Sequence, residues 1–550
     1  MLKKSKKAKL FKIILISLVS LVLVIFIINI ILGEIVESKI DTLLNENRSR
    51  LYSISFDDLN FNILTRSASF KNIAVIPTET ARQLVDEGVI RSMVITHVEL
   101  FKVKRLKVFS FISDKNVDIP KVIFEDIKTE LLINPEVNPP ENIKDDASAK
   151  IFPDVLNRVS IGVFEFRNVT FLMSNVQLPE EKIFQTDLSS IVVKDIFLDK
   201  ATFDNPIPVK FSDIYIKTKY FSLRSMKYYS MSASGIGYSV PDTTVTLDQF
   251  KLIPKYSRDE YNQLIKYNDD LFSISTEKVV LNGFNISEFL KNESINLDSV
   301  VILHPEIEIY RDNRLPDPPF KKKKLIASMV KSLPLNIKVE TLQIKDGKLV
   351  YEEMLDLTNK PGKVFFDPLF LTAYNVTNDL ELISENPHLQ IDFIGNIMGK
   401  SQLHANLDFY LNRNDDYFTV EGKLDATSAA EFNPMVENLA LVKIESGDVK
   451  SAAFNFTATD DISQGELKMA YENLKVNVLK HKDPEKKRGA LSFLANKLIR
   501  THNLPDDRKF RTGIIHFERR KDKGIGNYLW NSVKTGIIST VSPIAKKKRE

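Results

Sequence analysis

The chain has 550 residues, with 18 Gly, 23 Pro, no Cys and a formal net charge of +4. That length exceeds what one ordinary core holds, so several domains or one long array are expected, and the Gly and Pro counts exclude a collagen-like or low-complexity chain. Without cysteine there can be no disulfide, thiolate metal site or Cys nucleophile.

The charge sits at the two ends. Lys3, Lys4, Lys6, Lys7, Lys9 and Lys12 lie in a basic tail, residues 1–12, and Lys546, Lys547, Lys548 and Arg549 close the chain. The body between them is slightly acidic. This argues against a nucleic-acid-binding body, which wants a basic face, and suits two ends that meet anionic membrane surfaces.

Ile13 to Leu32 is an apolar run broken only by Ser17, Ser20 and Asn29. At about 1.5 Å per residue it is roughly 30 Å long, the thickness of a hydrocarbon core. The lysines before it place the N-terminus in the cytoplasm and the rest of the chain on the far side. A cleaved signal peptide is the alternative. It would show a shorter apolar stretch and a small-residue cleavage site, where this chain has Gly33-Glu34-Ile35-Val36-Glu37.

From Arg50 to Val478 the dominant period is two, as in Tyr52, Ile54 and Phe56, then Leu59, Phe61 and Ile63, and later Phe211, Ile214 and Ile216. Such alternation of β-branched and aromatic residues predicts antiparallel sheet. Three short helices interrupt it: about Thr78 to Asp86; Ser257 to about Tyr267, opened by a capping box with Glu260; and about Leu325 to Ser332, after the run Lys321 to Lys324. The Pro-, Asn- and Asp-rich stretch Pro135 to Ala149 is a linker or loop.

A repeat runs through the body. Val339, Leu342, Ile344, Asp346-Gly347, Leu349 and Tyr351 recur 42 residues earlier as Leu297, Val300, Ile302, His304-Pro305, Ile307 and Ile309. They recur again 178 residues earlier as Ile161, Phe164, Phe166, Asn168-Val169, Phe171 and Met173. Ile95, Val98, Leu100, Leu106 and Val108 form a looser copy. Each copy is expected to be a strand, a tight turn and a second strand, with Asp346-Gly347 a good hairpin pair. The three-residue step between the first two apolar positions implies a bulge there. Hairpins in series predict an open, elongated array. Roughly 25 strands at about 4.8 Å would span on the order of 100 Å.

Tyr52 to Pro77, YSISFDDLNFNILTRSASFKNIAVIP, resembles the opening of the AsmA-like family. Leu335 to Glu353, LNIKVETLQIKDGKLVYEE, is similar to that family's mid-body unit. Phe418 to Val478 is similar to its C-terminal part, with landmarks Val420-Glu421-Gly422-Lys423-Leu424, Phe432-Asn433-Pro434, Ile444-Glu445-Ser446-Gly447 and Tyr471-Glu472-Asn473-Leu474-Lys475. The likeness is to the compact, Bacteroidetes-type branch.

The resemblance implies a mostly β fold. One transmembrane helix would lead into an elongated, curved antiparallel β-groove of repeated hairpins, related to chorein-type bridge proteins. It implies an inner-membrane, single-pass protein with a periplasmic bulk. It also implies phospholipid moving towards the outer membrane, with the outer membrane or an envelope protein met at the C-terminal end.

The resulting divisions are the tail (1–12), the anchor (13–32), an N-terminal AsmA-like β region (33–135) and groove repeats (150–313). A basic helical insertion (314–334), a C-terminal AsmA-like β region (335–480) and a C-terminal helical region with a basic tail (485–550) follow. Candidate groove-lining residues are Phe164, Phe166, Phe171, Met173, Val300, Ile302, Ile307, Ile309, Leu342, Ile344, Leu349 and Tyr351. The same alternation also fits residues facing a packed core.

Ile525, Tyr528, Leu529, Val533, Ile537, Ile538 and Val541 fall at helical spacing, and the single tryptophan, Trp530, lies among them. Followed by Lys546, Lys547 and Lys548, they fit a membrane-surface helix, with Tyr528, Leu529 and Trp530 at the interface. They fit equally a helix that caps the end of the sheet. Leu491 to Ile499 is a second amphipathic stretch.

No enzyme signature emerges. The seven histidines include no pair within four residues, and there is no G-x-S-x-G, P-loop or G-x-G-x-x-G motif. No catalytic residue, metal or cofactor is expected. The leading expectation is lipid transfer between membranes by acyl-chain binding. A non-catalytic scaffold for outer-membrane protein assembly is second, and an enzyme or polysaccharide-handling factor third.

Overall fold

The computed structural model describes residues 51–62, 65–105, 116–134, 136–137, 158–199, 210–224, 226–292, 294–319, 322–356, 359–479 and 499–542. The expected anchor (13–32), nearly all of the 135–149 linker, most of Leu491 to Ile499 and the lysines at 546–548 lie outside them. Among the described residues no helix is long and apolar enough to cross a membrane.

The described residues are mostly β, with 23 strands in mixed sheet. The chain forms two compact units, Met1–Ser225 with Ser234–Pro241, and Met226–Ala233 with Asp242–Glu550.

In the first unit β1 (Tyr52–Ser55) and β2 (Asp58–Asn62) both pair with β3 (Ser67–Pro77). Pairing then continues through β4 (Ser92–Lys104), β5 (Asn116–Ile133), β6 (Arg158–Asn175), β7 (Leu178–Asp199), β8 (Asp213–Leu223) and β10 (Gly235–Ser239).

In the second unit β9 (Tyr229–Ala233) pairs with β11 (Thr244–Pro254), which pairs with β12 (Asp270–Asn282). β13 (Ser294–Leu303) and β14 (Glu306–Asp312) both lie between β12 and β15 (Asn336–Met354). The sheet then runs through β16 (Gly362–Thr377), β17 (His388–Ile397), β18 (Ser401–Tyr410) and β19 (Phe418–Leu424) to β21 (Val442–Ala458). The short β20 (Thr427–Ser428) pairs with β21, and β22 (Ile462–Val478) and β23 (Thr512–Glu518) complete the run.

Two expectations need correction. The sheet is mixed, not wholly antiparallel, because β5–β6, β13–β15 and β14–β15 are parallel. And the repeat copies are not hairpins. β6 and β15 each pass through Asn168-Val169 and Asp346-Gly347 as one strand. His304-Pro305 separates β13 from β14, yet both pair with β15 at the same offset of 42, as in Ile302↔Ile344 and Ile307↔Leu349.

The backbone explains the difference. A two-residue hairpin of the Asp-Gly kind needs two left-handed residues. Here Asp346 alone is left-handed (φ 53°), and Asn168 (51°), His304 (48°) and Asp126 (54°) occupy the equivalent places. One such residue kinks a strand without reversing it. The bulge expected between the first two apolar positions does not form: the pairing passes over Gly162, Asp298 and Glu340 without a change of register, and β15 shifts against β16 only between Ile344 and Leu349.

The repeat distance is therefore a pairing register. β5 and β6 also pair at an offset of 42, as in Phe124↔Phe166. Parallel neighbours need a crossover of a dozen or more residues, and residues 134–157 and 313–335 supply it at equivalent places.

All three predicted helices form: α1 (Glu79–Asp86, capped by Thr78), α2 (Arg258–Leu264, with the Ser257–Glu260 capping box) and α4 (Ile326–Lys331). α2 ends three residues before Tyr267. Three more were not predicted: α3 (Ile286–Asn292), α5 (Leu380–Glu385) and α6 (Asn433–Ala440). The C-terminal helix α7 spans Ile525–Val541.

The main core lies in the second unit. Phe409, Phe418, Val420, Phe456, Leu467 and Ile515 from the sheet meet Leu325 and Ala327 beside and within α4, and Tyr528 of α7. α7 also closes the edge of the sheet. Ser539 and Thr535 accept hydrogen bonds from the Ile514 and His516 amides of β23 (3.0 and 3.2 Å), which face away from β22.

This docking needs Gly513, because a Cβ there would lie 2.2 Å from the Gly536 carbonyl oxygen. Gly513→Ala should lower stability by about 1–3 kcal/mol through overpacking. Gly526→Ala in the same helix, with nothing within 4 Å of its Cβ position, should be neutral or gain up to about 1 kcal/mol. Thermal melts of the two variants separate close packing from a general effect of replacing glycine.

Candidate apolar face and its closure

Directly paired residues in a sheet share a face, so the registers trace which side chains line up. In the first unit one row is Leu59, Phe70, Phe101, Phe124, Phe166, Ile191, Ile216 and Tyr238. The next row on that face is Phe61, Ala68, Val103, Val122, Phe164, Val193 and Ile214. Every member of both rows is apolar or aromatic.

The row between them, on the other face, is mixed: Ser69, Lys102, Ile123, Glu165, Val192 and Tyr215. On that face too, Lys71, Leu100, Glu125, Arg167, Ser190 and Lys217 align, and Arg167 pairs with Glu165 (2.8 Å). The Arg167 contact, with Lys121, holds the Glu165 carboxyl below its ordinary range against the opposing effect of burial.

The aromatic rings of the first row touch in series. Phe70–Phe101, Phe101–Phe124 and Phe124–Phe166 centroids lie 5.7, 4.6 and 5.3 Å apart. Such contacts fix the rings in place. Leu59, Val122 and Tyr238 are buried and the rest of the two rows is half-buried. Among the described residues, neither row contributes to a buried apolar cluster. The cluster formed with α1 uses Val85, Met93 and Leu132, towards the other end of β4 and β5.

The second unit carries the same pattern across eleven strands. One row is Leu247, Val279, Ile302, Ile344, Leu371, Phe393, Ala405, Gly422, Phe454, Leu467 and Gly513. Its neighbour is Val245, Leu281, Val300, Leu342, Ala373, Ile391, Leu407, Val420, Phe456, Gly465 and Ile515. On the opposite face Gln343, Thr372, Asp392, Asn406, Glu421, Asn455 and Glu466 align. From β16 to β23 the apolar rows pack into the core beneath α4 and α7.

The twelve candidate lining residues are all half-buried. Phe164 and Phe166 lie in the two apolar rows of the first unit. Phe171 and Met173 lie beyond the Asn168 kink, where their rows include Thr129 and Thr186 for Phe171, and Leu131 and Phe184 for Met173. Val300–Leu342, Ile302–Ile344, Ile307–Leu349 and Ile309–Tyr351 are direct parallel pairs. Leu342 packs on the main core. Burial raises the Tyr351 hydroxyl pKa, and that hydroxyl donates to Glu353 (2.9 Å).

The expected membrane contact of Tyr528 is corrected. It is 2% exposed, packs against Phe418 and Phe517, and donates to the Thr459 carbonyl (3.0 Å). Leu529 packs on the same core, and Trp530 is half-buried. α7 is the capping helix of the two alternatives. Burial also lowers the Lys534 pKa, partly offset by the charge of Glu353.

The run Lys321 to Lys324 forms an ionic clasp in its described part. Lys323 binds Asp270 (2.6 Å) and Asp269 (3.3 Å), and its backbone amide donates to Lys521 (2.8 Å). Lys322 binds Asp460 (2.8 Å), which also pairs with buried Arg519. Lys523 and Arg520 both reach Asp317 (2.7 Å each). The crossover is thereby tied to the segment after β23. Hydrogen bonds from Asn268 and Lys523 hold Asp317 well below the usual carboxylate range. At Asp460 burial acts upward, but Lys322, Lys521 and Arg519 outweigh it and its pKa is also lowered.

No family model matches this chain, and no curated protein matches it.

Two predictions follow from the geometry. The chain lacks cysteine, so single cysteines report accessibility directly. Val193→Cys and Ile214→Cys should react with maleimide in the folded protein, and Val420→Cys should react at least tenfold more slowly. Equal rates would mean that the first unit's rows are covered.

Carboxylates with depressed folded pKa values add stability above the unfolded value of about 3.9, and lose it as pH falls through the folded value. The melting-temperature gap between wild type and Asp317→Asn should therefore be larger at pH 7 than at pH 3. A constant gap would show that ionised Asp317 is not its source.

Proposed function

We propose that this protein is a membrane-tethered, AsmA-like β-groove protein of the bacterial envelope. Its apolar face binds phospholipid acyl chains and supports lipid transfer between the inner and outer membranes. The observation that carries this reading is the pair of apolar rows in the first unit, which join no buried apolar cluster among the described residues and are faced on the other side of the sheet by a more polar surface. Apolar surface leaving water is worth about 25 cal/mol per Å², or roughly 0.8 kcal/mol per CH₂. Both an acyl chain and the Phe70–Phe101–Phe124–Phe166 row gain by contact. Binding of this kind needs no catalytic group, only a continuous apolar surface of sufficient length.

The tether in this reading is Ile13 to Leu32, with the N-terminal lysines in the cytoplasm and the bulk in the periplasm. The sequence likeness of Tyr52 to Pro77 and Phe418 to Val478 to the AsmA-like family supports the same assignment.

A scaffold for outer-membrane protein assembly has its own supporting observation. The interior of the second unit is filled by its own helices, while Phe370 and Tyr374 remain 44% and 41% exposed on the opposite face.

The two readings separate on one experiment. Full-length protein purified in detergent should yield phospholipid by mass spectrometry, and Phe124→Glu with Phe166→Glu should reduce the yield severalfold. No lipid in the wild type, or an unchanged yield in the double variant, would overturn the lipid reading.

A further inference from the structure

The second unit holds a cavity of about 510 Å³ whose walls include Tyr228, Tyr229, Tyr261, Tyr267 and Phe272, with Asp269 and Asp270 among its polar groups. The depression is open to solvent on one side, and its mixture of aromatic walls with a few polar groups is the lining a small molecule could use.

The tyrosines are held in place. Tyr261 is 4% exposed and meets Tyr228 edge-on at 5.3 Å. The Tyr229 hydroxyl donates to the Asp270 carbonyl (3.4 Å) and accepts from the Phe272 amide (3.3 Å). Burial, aided by the charges of Asp269 and Asp270, raises its pKa and keeps it neutral. Tyr267 is half-buried.

A second observation names the chemistry. Of the six cation–aromatic contacts among the described residues, three occur in this cluster. Lys227 lies 4.9 Å from the Tyr228 ring centre, Lys266 lies 5.3 Å from that of Tyr267, and Arg258 lies 4.3 Å from that of the neighbouring Tyr310. These ring faces already attract positive charge. Asp269 and Asp270 are engaged by Lys323, and Asp270 also by Arg311 (3.2 Å). The rings, more than free carboxylates, are what the cavity offers a ligand.

We propose that this cavity binds an alkylammonium group, the chemistry shared by choline- or ethanolamine-type lipid headgroups and free amines. Ring faces recognise such cations through their quadrupoles, and a methylated ammonium is weakly hydrated enough to leave water for them. The proposal goes beyond acyl-chain binding and does not depend on it. Phe124→Glu, which disables the first unit's apolar face, should leave it intact.

The test uses the full chain in a maltoside detergent, titrated with choline and with 3,3-dimethylbutan-1-ol, its uncharged isostere, and followed by saturation-transfer NMR. Choline should bind saturably and be displaced by tetramethylammonium, with the isostere at least threefold weaker. Tyr267→Leu should weaken choline about three- to thirtyfold, the range for losing one ring face, while Tyr267→Phe retains it. Equal binding of choline and isostere, or an unchanged affinity in Tyr267→Leu, overturns the proposal. Should that variant fail to fold, the isostere comparison on the wild type decides. Phosphatidylcholine vesicles that bind competitively with choline, where phosphatidylglycerol vesicles do not, assign the ammonium to a lipid. Binding of free choline alone assigns it to a soluble amine, and both results keep the site.

Discussion

A pleated sheet places each directly paired set of side chains on one face, so a stripe that is apolar on one strand stays apolar only if every neighbour keeps register. Here the registers hold across seven or eight strands of the first unit and eleven of the second. A slip of one residue would exchange rows such as Leu342 and Gln343 between faces. An apolar face so built must be covered, because water in contact with it is unfavourable. The second unit covers much of its own with α4, α7 and the ionic clasp that fastens the crossover. In the first unit the described residues supply no such cover for the Phe124 and Phe164 rows, and this asymmetry leads the functional reading.

The kinks serve the same end. The apolar positions step from Phe166 to Val169 across left-handed Asn168, and from Ile344 to Gly347 across left-handed Asp346. A three-residue step is what keeps both sides of a bulge on one face. Asn168 donates to Asp126 (3.0 Å), and His304 lies 3.5 Å from Asp346, so the kinked positions of neighbouring strands are joined by polar contacts. Asn, Asp and His tolerate the left-handed conformation better than β-branched residues do. The architecture thus recurs: two parallel strands at an offset of 42, joined by a crossover, appear in each unit.

Much of this was legible. The alternation gave the β class, Ser257 and Glu260 gave α2, and the spacing of Ile525, Tyr528 and Val533 gave α7. The repeat was visible, but its meaning was not. Asp346-Gly347 has the composition of a hairpin turn, and only the backbone angles distinguish a kink from a reversal. That the 42-residue spacing equals a parallel register depends on the crossover returning the chain, which no local pattern encodes. The missed helices α3, α5 and α6 are only six to eight residues long, too short to display a clear 3.6-residue period, although Asp379 and Pro434 mark two of their starts. Sequence placed Tyr528 at a membrane because apolar spacing looks alike whether a helix faces lipid or a core. The Tyr cavity was missed because its residues come from β9, α2 and the loop after it, and β12, which no single window contains.

The measurement that bears most directly on the central claim is photocrosslinking from the apolar rows in the native membrane environment. Benzophenone side chains placed at Phe124 and Phe166 would be activated in membranes, and the adducts identified by mass spectrometry, with Lys102 and Arg167 as controls on the other face. The account requires phospholipid adducts at the first two positions and few or none at the controls. Adducts only to this chain's own peptides at Phe124 and Phe166 would mean that the face is already covered by protein, and would contradict it.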